Sequence, residues 1–188
     1  TPVDVLFICS GHGESKKFLA ANEIPWHTKI IDLSTDFRDE SEGFVYGLAE
    51  YQKEKIQSAQ KIANPGCFAT CIELALLPMA AKGLLNADIH VSAITGSTGA
   101  GQSLSPTSHF SWRNNNLSIY KAFTHQHIAE ITQTISMGKT APRIHFIPYR
   151  GNFTRGIMAN VYTNYAGTQE EAVAMYEEYY AHSPFVFV

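Results

Sequence analysis

Residues 3–9 (VDVLFIC) form a nearly continuous apolar run of branched and aromatic side chains. That pattern predicts a strand covered on both faces of a parallel sheet, with Cys9 in the core. The turn Ser10-Gly11-His12-Gly13 follows, then a short helix over 14–22 and a second strand over 28–33 (TKIIDL). Strand, turn, helix, strand is a βαβ unit, so the opening reads as part of a doubly wound α/β domain. A helix over 49–58 and a brief strand over 60–63 run up to a sharp break at Asn64-Pro65-Gly66. Apolar Ile72, Leu74, Ala75, Leu76 and Leu77 then predict a largely buried helix over 67–82, which Pro78 kinks or ends. A strand over 89–94 leads into a glycine-rich loop, and the polar stretch 103–116 reads as irregular. Beyond it the pattern predicts a helix over 125–136 and strands over 143–148 and 156–165. Thr168 caps a last helix running to about residue 181, and 185–188 reads as the start of another strand.

Composition narrows the function more than the fold. The 188 residues are 45% hydrophobic and 16% charged, enough apolar mass for a real core. A net charge of -3 and scattered Lys and Arg argue against nucleic acid or an anionic membrane as partner. A small anionic substrate stays compatible, since local cations decide there. No segment approaches the roughly 18 apolar residues of a membrane span, and Thr1-Pro2-Val3-Asp4 has no secretory pattern. The chain does not open with Met and is expected to be a processed or truncated piece. Three cysteines (Cys9, Cys67, Cys71) cannot all pair, which suits a reducing cytoplasm.

Asn64-Pro65-Gly66-Cys67 puts a cysteine at the first turn of a predicted helix. The positive end of the helix dipole favours thiolate over thiol there, and backbone N–H groups can hold an oxyanion. Cys67 also reads as a small buried hydrophobe, as most lone cysteines are. Cys71, one turn later, reads as core packing. His125-Gln126-His127 with Glu130 supplies imidazoles to manage protons and a carboxylate to orient one of them, His127 and Glu130 sharing a helix face. The His-x-His pair has a metal reading too, but no third ligand of convincing spacing, so no metal is expected. The loop Gly96 to Gly101 lacks the order of a dinucleotide fingerprint but follows a strand, as a wall for a flat ring or a phosphate would. Arg150 and Arg155 flank Gly151-Asn152-Phe153-Thr154; either fits a carboxylate or phosphate clamp, or a solvated surface residue.

Five segments, in order, resemble one family: Asp32 to Arg38 (DLSTDFR), Asn64 to Thr70 (NPGCFAT), Gly96 to Gln102 (GSTGAGQ), His125 to Ile131 (HQHIAEI) and Arg155-Gly156-Ile157. The family is N-acetyl-gamma-glutamyl-phosphate reductase of arginine biosynthesis, a relative of aspartate-semialdehyde dehydrogenase. The resemblance implies a partial doubly wound (Rossmann-like) NADP-binding domain over 1–66, and an α+β catalytic and dimerisation domain with a mixed sheet over 67–188. It implies that Cys67 attacks an acyl phosphate to give a thioester, which NADPH reduces to the semialdehyde. His125 is then the acid–base partner. His127, Glu130, Tyr120, Arg155 and Asn64 contact substrate, and Ser10, Gly11, Gly96, Ser97, Gly99, Ala100 and Gly101 contact NADP(H). A homo-oligomer, dimer or tetramer, is implied as well.

The sequence departs from the family pattern at Ala129 (commonly Pro), Gln102 (often Arg) and Phe68-Ala69 (usually Tyr-Pro), which leaves the acyl substituent open, acetyl or another such as succinyl. The family's glycine phosphate loop at the amino end and its returning helix at the carboxyl end are expected to lie outside these residues. Three rivals remain: an aspartate-semialdehyde dehydrogenase, a cysteine hydrolase that needs no nicotinamide, and a piece that keeps only an oligomerisation role.

Overall fold

The computed structural model describes residues 3–101 and 103–188, so Gln102 of the glycine motif lies outside the described residues. The chain forms two compact units, Thr1–Gly66 and Cys67–Val188.

The first unit is a four-stranded sheet in the order β1-β2-β4-β3, with every pairing parallel. Its elements are β1 (Val5–Ile8), α1 (Glu14–Ala21), β2 (Lys29–Asp32), β3 (Val45–Tyr46), α2 (Ala49–Ser58) and β4 (Lys61–Ala63). The predicted βαβ opening is present, but its first strand is not covered on both faces. β1 is an edge strand, and its side chains alternate: Ile8 joins the core with Ile30, Phe37, Phe44 and Ala63, while Val5 and Phe7 are exposed. Period two puts position 9 on the same uncovered side as 5 and 7. Cys9 is accordingly exposed, not the core residue expected of it.

The second unit has a mixed sheet, β6-β7-β5-β8. β5 (Ile89–Thr95) runs parallel to β7 (Ile144–Arg150) and antiparallel to β8 (Ile157–Tyr162); β6 (Ser118–Ile119) is antiparallel to β7. Its inner face carries Ile89, Val91, Ala93, Ile144 and Phe146, which pack with Phe68, Ala69, Ile72 and Leu76 of α3 (Cys67–Ala81) and Ile131 and Ile135 of α5 (His127–Ser136). The polar stretch expected to be irregular holds a 3-10 turn at Pro106–Ser108, entered by a Ser105–Ser108 capping box, and a one-turn helix, α4 (Phe110–Arg113). Thr168 does cap α6 (Gln169–Tyr180): its hydroxyl accepts from Glu171 N–H, and Glu171 accepts from Thr168 N–H. The strand expected over 185–188 is absent; those residues have no ladder partner among the described ones.

Pro78 neither ends nor splits α3, which continues to Ala81. Proline has no N–H for the carbonyl four residues back, and its ring crowds that turn. The exposed accepting capacity is met from α6: the Tyr180 hydroxyl donates to the Leu74 carbonyl and the Tyr176 hydroxyl to the Ala75 carbonyl, both at 2.5 Å. α3 then closes on a Schellman turn, with Gly83 at φ +69° and Leu84 N–H donating to the Met79 carbonyl.

Candidate active site

Cys67 is the first residue of α3 and its side chain is exposed. Phe68, the next residue, is buried. Its ring meets His125 edge-on at 5.6 Å, His127 at 6.4 Å and Phe146 at 5.2 Å. The sequence thus threads an exposed thiol and a buried aromatic through one helical turn, and the aromatic carries both histidines. Cys71, one turn on, is half-buried, and burial, aided by the Cys67 charge, pushes its thiol up. Cys71 is therefore the less reactive thiol at neutral pH.

His125 and His127 lie with ring centroids 4.5 Å apart, each only 5% exposed. Burial, with the nearby positive charges of His127 and Lys121, brings the His125 imidazole down to about 4, against an opposing pull from Glu130. It is neutral at physiological pH. Its Nδ1 accepts the His127 backbone N–H at 3.2 Å, which assigns the ring proton to Nε2. The helix starts at His127, so His127 and Glu130 occupy its first turn, Nε2 3.8 Å from Oε1.

Tyr120 completes the cluster. Its backbone N–H donates to the Pro148 carbonyl at 3.2 Å, and its ring stands edge-on to His125 at 5.7 Å and beneath the Arg150 guanidinium at 4.6 Å. Burial raises the Tyr120 hydroxyl; the Arg150 charge opposes, and Cys67 adds to the rise.

Arg155 is exposed and lies on the loop before β8, which is sewn to the glycine loop by its backbone. Gly96 N–H donates to the Gly156 carbonyl (3.0 Å), Ser97 N–H to Phe153 (2.7 Å) and Thr98 N–H to Thr154 (3.1 Å). A Cβ at Gly96 would lie 2.7 Å from the Thr154 carbonyl and 2.8 Å from Arg155 N, so only glycine allows this approach. Gly99 and Gly101 N–H groups donate to the Gly96 and Thr98 carbonyls. With these amides spent on protein oxygens, the loop can offer a wall and not a nest for phosphate. The sequence had left both open.

The remaining predicted residues, Ser10, Gly11 and Asn64, belong to the first unit and are exposed at the carboxyl ends of β1 and β4. The Ser10 hydroxyl is 2.9 Å from that of Ser15, which donates to the fully buried Asp32 (2.6 Å); Ser34 donates to the other Asp32 oxygen (2.7 Å). Asn64 is held twice: its N–H donates to the Asp32 carbonyl (2.8 Å), and its carbonyl accepts from Arg38 Nε (2.9 Å). Sequence reasoning saw Asp32 and Arg38 only as part of a motif. Their task, fixing the segment that ends in Asn-Pro-Gly, needs the fold to become visible. Arg113, buried and bonded to four oxygens, was missed altogether, since an arginine in a polar stretch carries no signal. A hollow of about 690 Å³ lies on the 104–112 segment, lined by Leu104, Pro106, His109 and Trp112, and none of the predicted site residues lines it.

Residues 1–59 match the semialdehyde dehydrogenase NAD binding domain model, and residues 67–188 the semialdehyde dehydrogenase dimerisation domain model. The chain belongs to the semialdehyde dehydrogenase family. Among curated proteins it is 57% identical over 188 residues to the N-acetyl-gamma-glutamyl-phosphate reductase of Azobacteroides pseudotrichonymphae genomovar. CFP2, covering 99% of this chain and 58% of that one. It is 53% identical over 189 residues to the same-named protein of Christiangramia forsetii, covering 98% and 59%. The chain therefore spans about six tenths of the length of these relatives. Among solved structures of this semialdehyde dehydrogenase fold, aspartate semialdehyde dehydrogenase II from Vibrio cholerae superposes with a TM-score of 0.70 at 16% identity, covering 94% of this chain and 60% of that one. The Candida albicans aspartate semialdehyde dehydrogenase with NADP gives 0.60 at 10% identity, covering 94% and 54%.

Proposed function

We propose that the protein carrying this chain reduces N-acetyl-gamma-glutamyl phosphate to N-acetylglutamate 5-semialdehyde and phosphate, in arginine biosynthesis, with NADPH as reductant. The observation that carries this reading is the exposed Cys67 at the start of α3, followed by a buried aromatic on which His125 and His127 are mounted. The helix start favours the thiolate, which attacks the acyl carbonyl. A C–S bond forms, the C–O bond to phosphorus breaks, and phosphate leaves with the electron pair. His125, neutral with its proton on Nε2, is a donor for the oxygen on which negative charge develops. A charged imidazolium is excluded there by burial at neutral pH, so His125 acts by holding and lending one proton. His127, Glu130, Tyr120, Arg155 and Asn64 are proposed to bind substrate.

Ser10 and Gly11 fit a coenzyme site on chemical grounds: they stand exposed beyond the carboxyl end of a parallel strand, where open α/β sheets take nucleotides. They are proposed to hold it, as are Gly96, Ser97, Gly99, Ala100 and Gly101, in a loop where the amides of Gly96, Ser97, Gly99 and Gly101 are engaged and suit a wall. The hydride that takes the thioester to the semialdehyde is the chemistry a bound NADPH supplies. Domain roles follow: coenzyme binding for 1–66, catalysis and self-association for 67–188, in a cytoplasmic homo-oligomer, dimer or tetramer. Self-association is favoured by the outer face of the second sheet, where the register sets Met158, Ile94, Tyr149 and Ile119 in one row. Met158 and Ile119 are 61% and 56% exposed, an apolar row without a cover.

The test is intact mass after incubation with the acyl phosphate and no NADPH. An acyl adduct that vanishes in Cys67→Ser but persists in Cys71→Ser is expected. An adduct that persists in Cys67→Ser would remove the proposed nucleophile.

A further inference from the structure

We propose that Arg150 is an anion-binding residue of this site, taking the phosphoryl or carboxylate oxygens of the substrate from a seat on the Tyr120 ring. The inference rests on the acyl-phosphate reading of Cys67 and its histidines, and assigns a contact that reading leaves open.

Two arginines meet at the carboxyl end of β7; the Nε of each is buried without a hydrogen-bond partner, but only Arg113 has both terminal nitrogens bound to protein oxygens. Arg113 is buried, and its guanidinium donates to the carbonyls of Thr107 (3.1 Å), Asn116 (3.4 Å) and Arg150 (2.6 Å) and to the Ser118 hydroxyl (2.9 Å). It ties the 107–118 segment to the last residue of β7 and so fixes the backbone of Arg150. Arg150 itself makes no ion pair among the described residues; its side chain hydrogen-bonds to that of Tyr120, and its buried Nε has no hydrogen-bond partner. A buried N–H left unpaired on a cation is costly, and native structures rarely keep one without a purpose. An anion bound edge-on would meet it.

The seat suits that purpose. A cation–π contact at 4.6 Å over the Tyr120 ring, with a hydrogen bond to the same side chain, holds the guanidinium in place, and its unpaired Nε edge suits a carboxylate or phosphate oxygen. Tyr120 in turn touches His125, and His125 touches Phe68, the neighbour of Cys67. The Tyr120 hydroxyl also senses both the Arg150 charge and Cys67, so the arginine sits within electrostatic reach of the nucleophile's surroundings. Burial disfavours the charge on Arg113, and repulsion from Arg150 adds to it. A negative ligand relieves that repulsion. Arg155 differs on each count, being exposed and on a loop.

The experiment measures how inorganic phosphate and N-acetylglutamate slow iodoacetamide alkylation of Cys67 in the full-length protein, in wild type, Arg150→Met and Arg150→Lys. The half-protecting concentration of at least one anion is expected to rise about ten-fold or more in Arg150→Met and less in Arg150→Lys, which keeps the charge and loses the fork. Whichever anion loses its protection identifies the oxygens held. Equal protection in all three proteins, or none by either anion in wild type, overturns the proposal. Should the methionine variant fail to fold by near-ultraviolet circular dichroism, the lysine variant decides alone, an unchanged value counting against. A wild type that forms no acyl adduct, yet loses protection in Arg150→Met, would sink the acyl-phosphate reading and leave the anion site standing.

Discussion

The starts of α1 and α3 are the same physical object put to opposite uses. At α1 the Asp36 carboxylate reaches back from beyond β2 and accepts the Gly13 N–H at 2.6 Å and the Lys16 N–H at 3.1 Å. Burial raises the Asp36 carboxyl, but those amides outweigh it and hold the group below its ordinary value. At α3 the first residue is instead a cysteine with an exposed side chain. One helix start holds a carboxylate brought from elsewhere in the chain; the other carries a thiol of its own at the positive end of the dipole. The contrast teaches that the helix end alone says nothing about function. What occupies it does.

The sharpest way to break this contrast is Cys67→Ser, expected to reduce acylation and turnover at least about a thousand-fold, read by single-turnover kinetics. Next comes the pH dependence of stability. Folding lowers the His125 imidazole from 6.5 to about 4, so between those values the unfolded chain binds the extra proton. Stability is therefore complete above pH 6.5 and falls as the pH drops towards 4, by on the order of 2–3 kcal/mol. Urea titrations across that range should show the slope, and His125→Phe should flatten it; a slope that persists in the variant would place the proton elsewhere. Asp36 titrates below this window. Asp36→Ala is expected to cost about 1–2 kcal/mol through the lost cap, while leaving the alkylation rate of Cys67 unchanged. A change in that rate would mean that the two helix starts do not act separately.

The smallest effect concerns the far end of α3. Tyr180→Phe should cost about 1 kcal/mol, because the Leu74 carbonyl loses its donor. In a Pro78→Ala background, where residue 78 regains an N–H, the same change should cost less. A double-mutant cycle with no coupling would refute the link.

The sequence showed the elements whose period and breaks are local: the βαβ opening, the turn at Asn64-Pro65-Gly66, the Thr168 cap. It misjudged features that depend on neighbours. Residues 5–9 read by composition as a strand covered on both faces, yet among the described residues nothing packs over the face that carries Val5, Phe7 and Cys9. Residues 185–188 have strand composition and no ladder partner among the described residues. At the site, residue types marked Cys67, His125, His127 and Glu130, since a nucleophile, imidazoles and a carboxylate carry their chemistry in their names. Asp36 reaches amides 20 and 23 residues away, and Arg113 the Arg150 carbonyl 37 residues away, pairings that only the folded chain shows.

Pro78 has a consequence for how this protein can vary. A proline inside the helix that begins at Cys67 is tolerated because a hydroxyl from residue 180, on another helix, stands in for a missing amide proton. A lineage that trades the proline for an ordinary residue frees the tyrosine from that duty, and one that loses the tyrosine first leaves a carbonyl stranded. An exchange that begins at the proline is therefore expected to be the gentler of the two, and relatives are expected to change the two positions together.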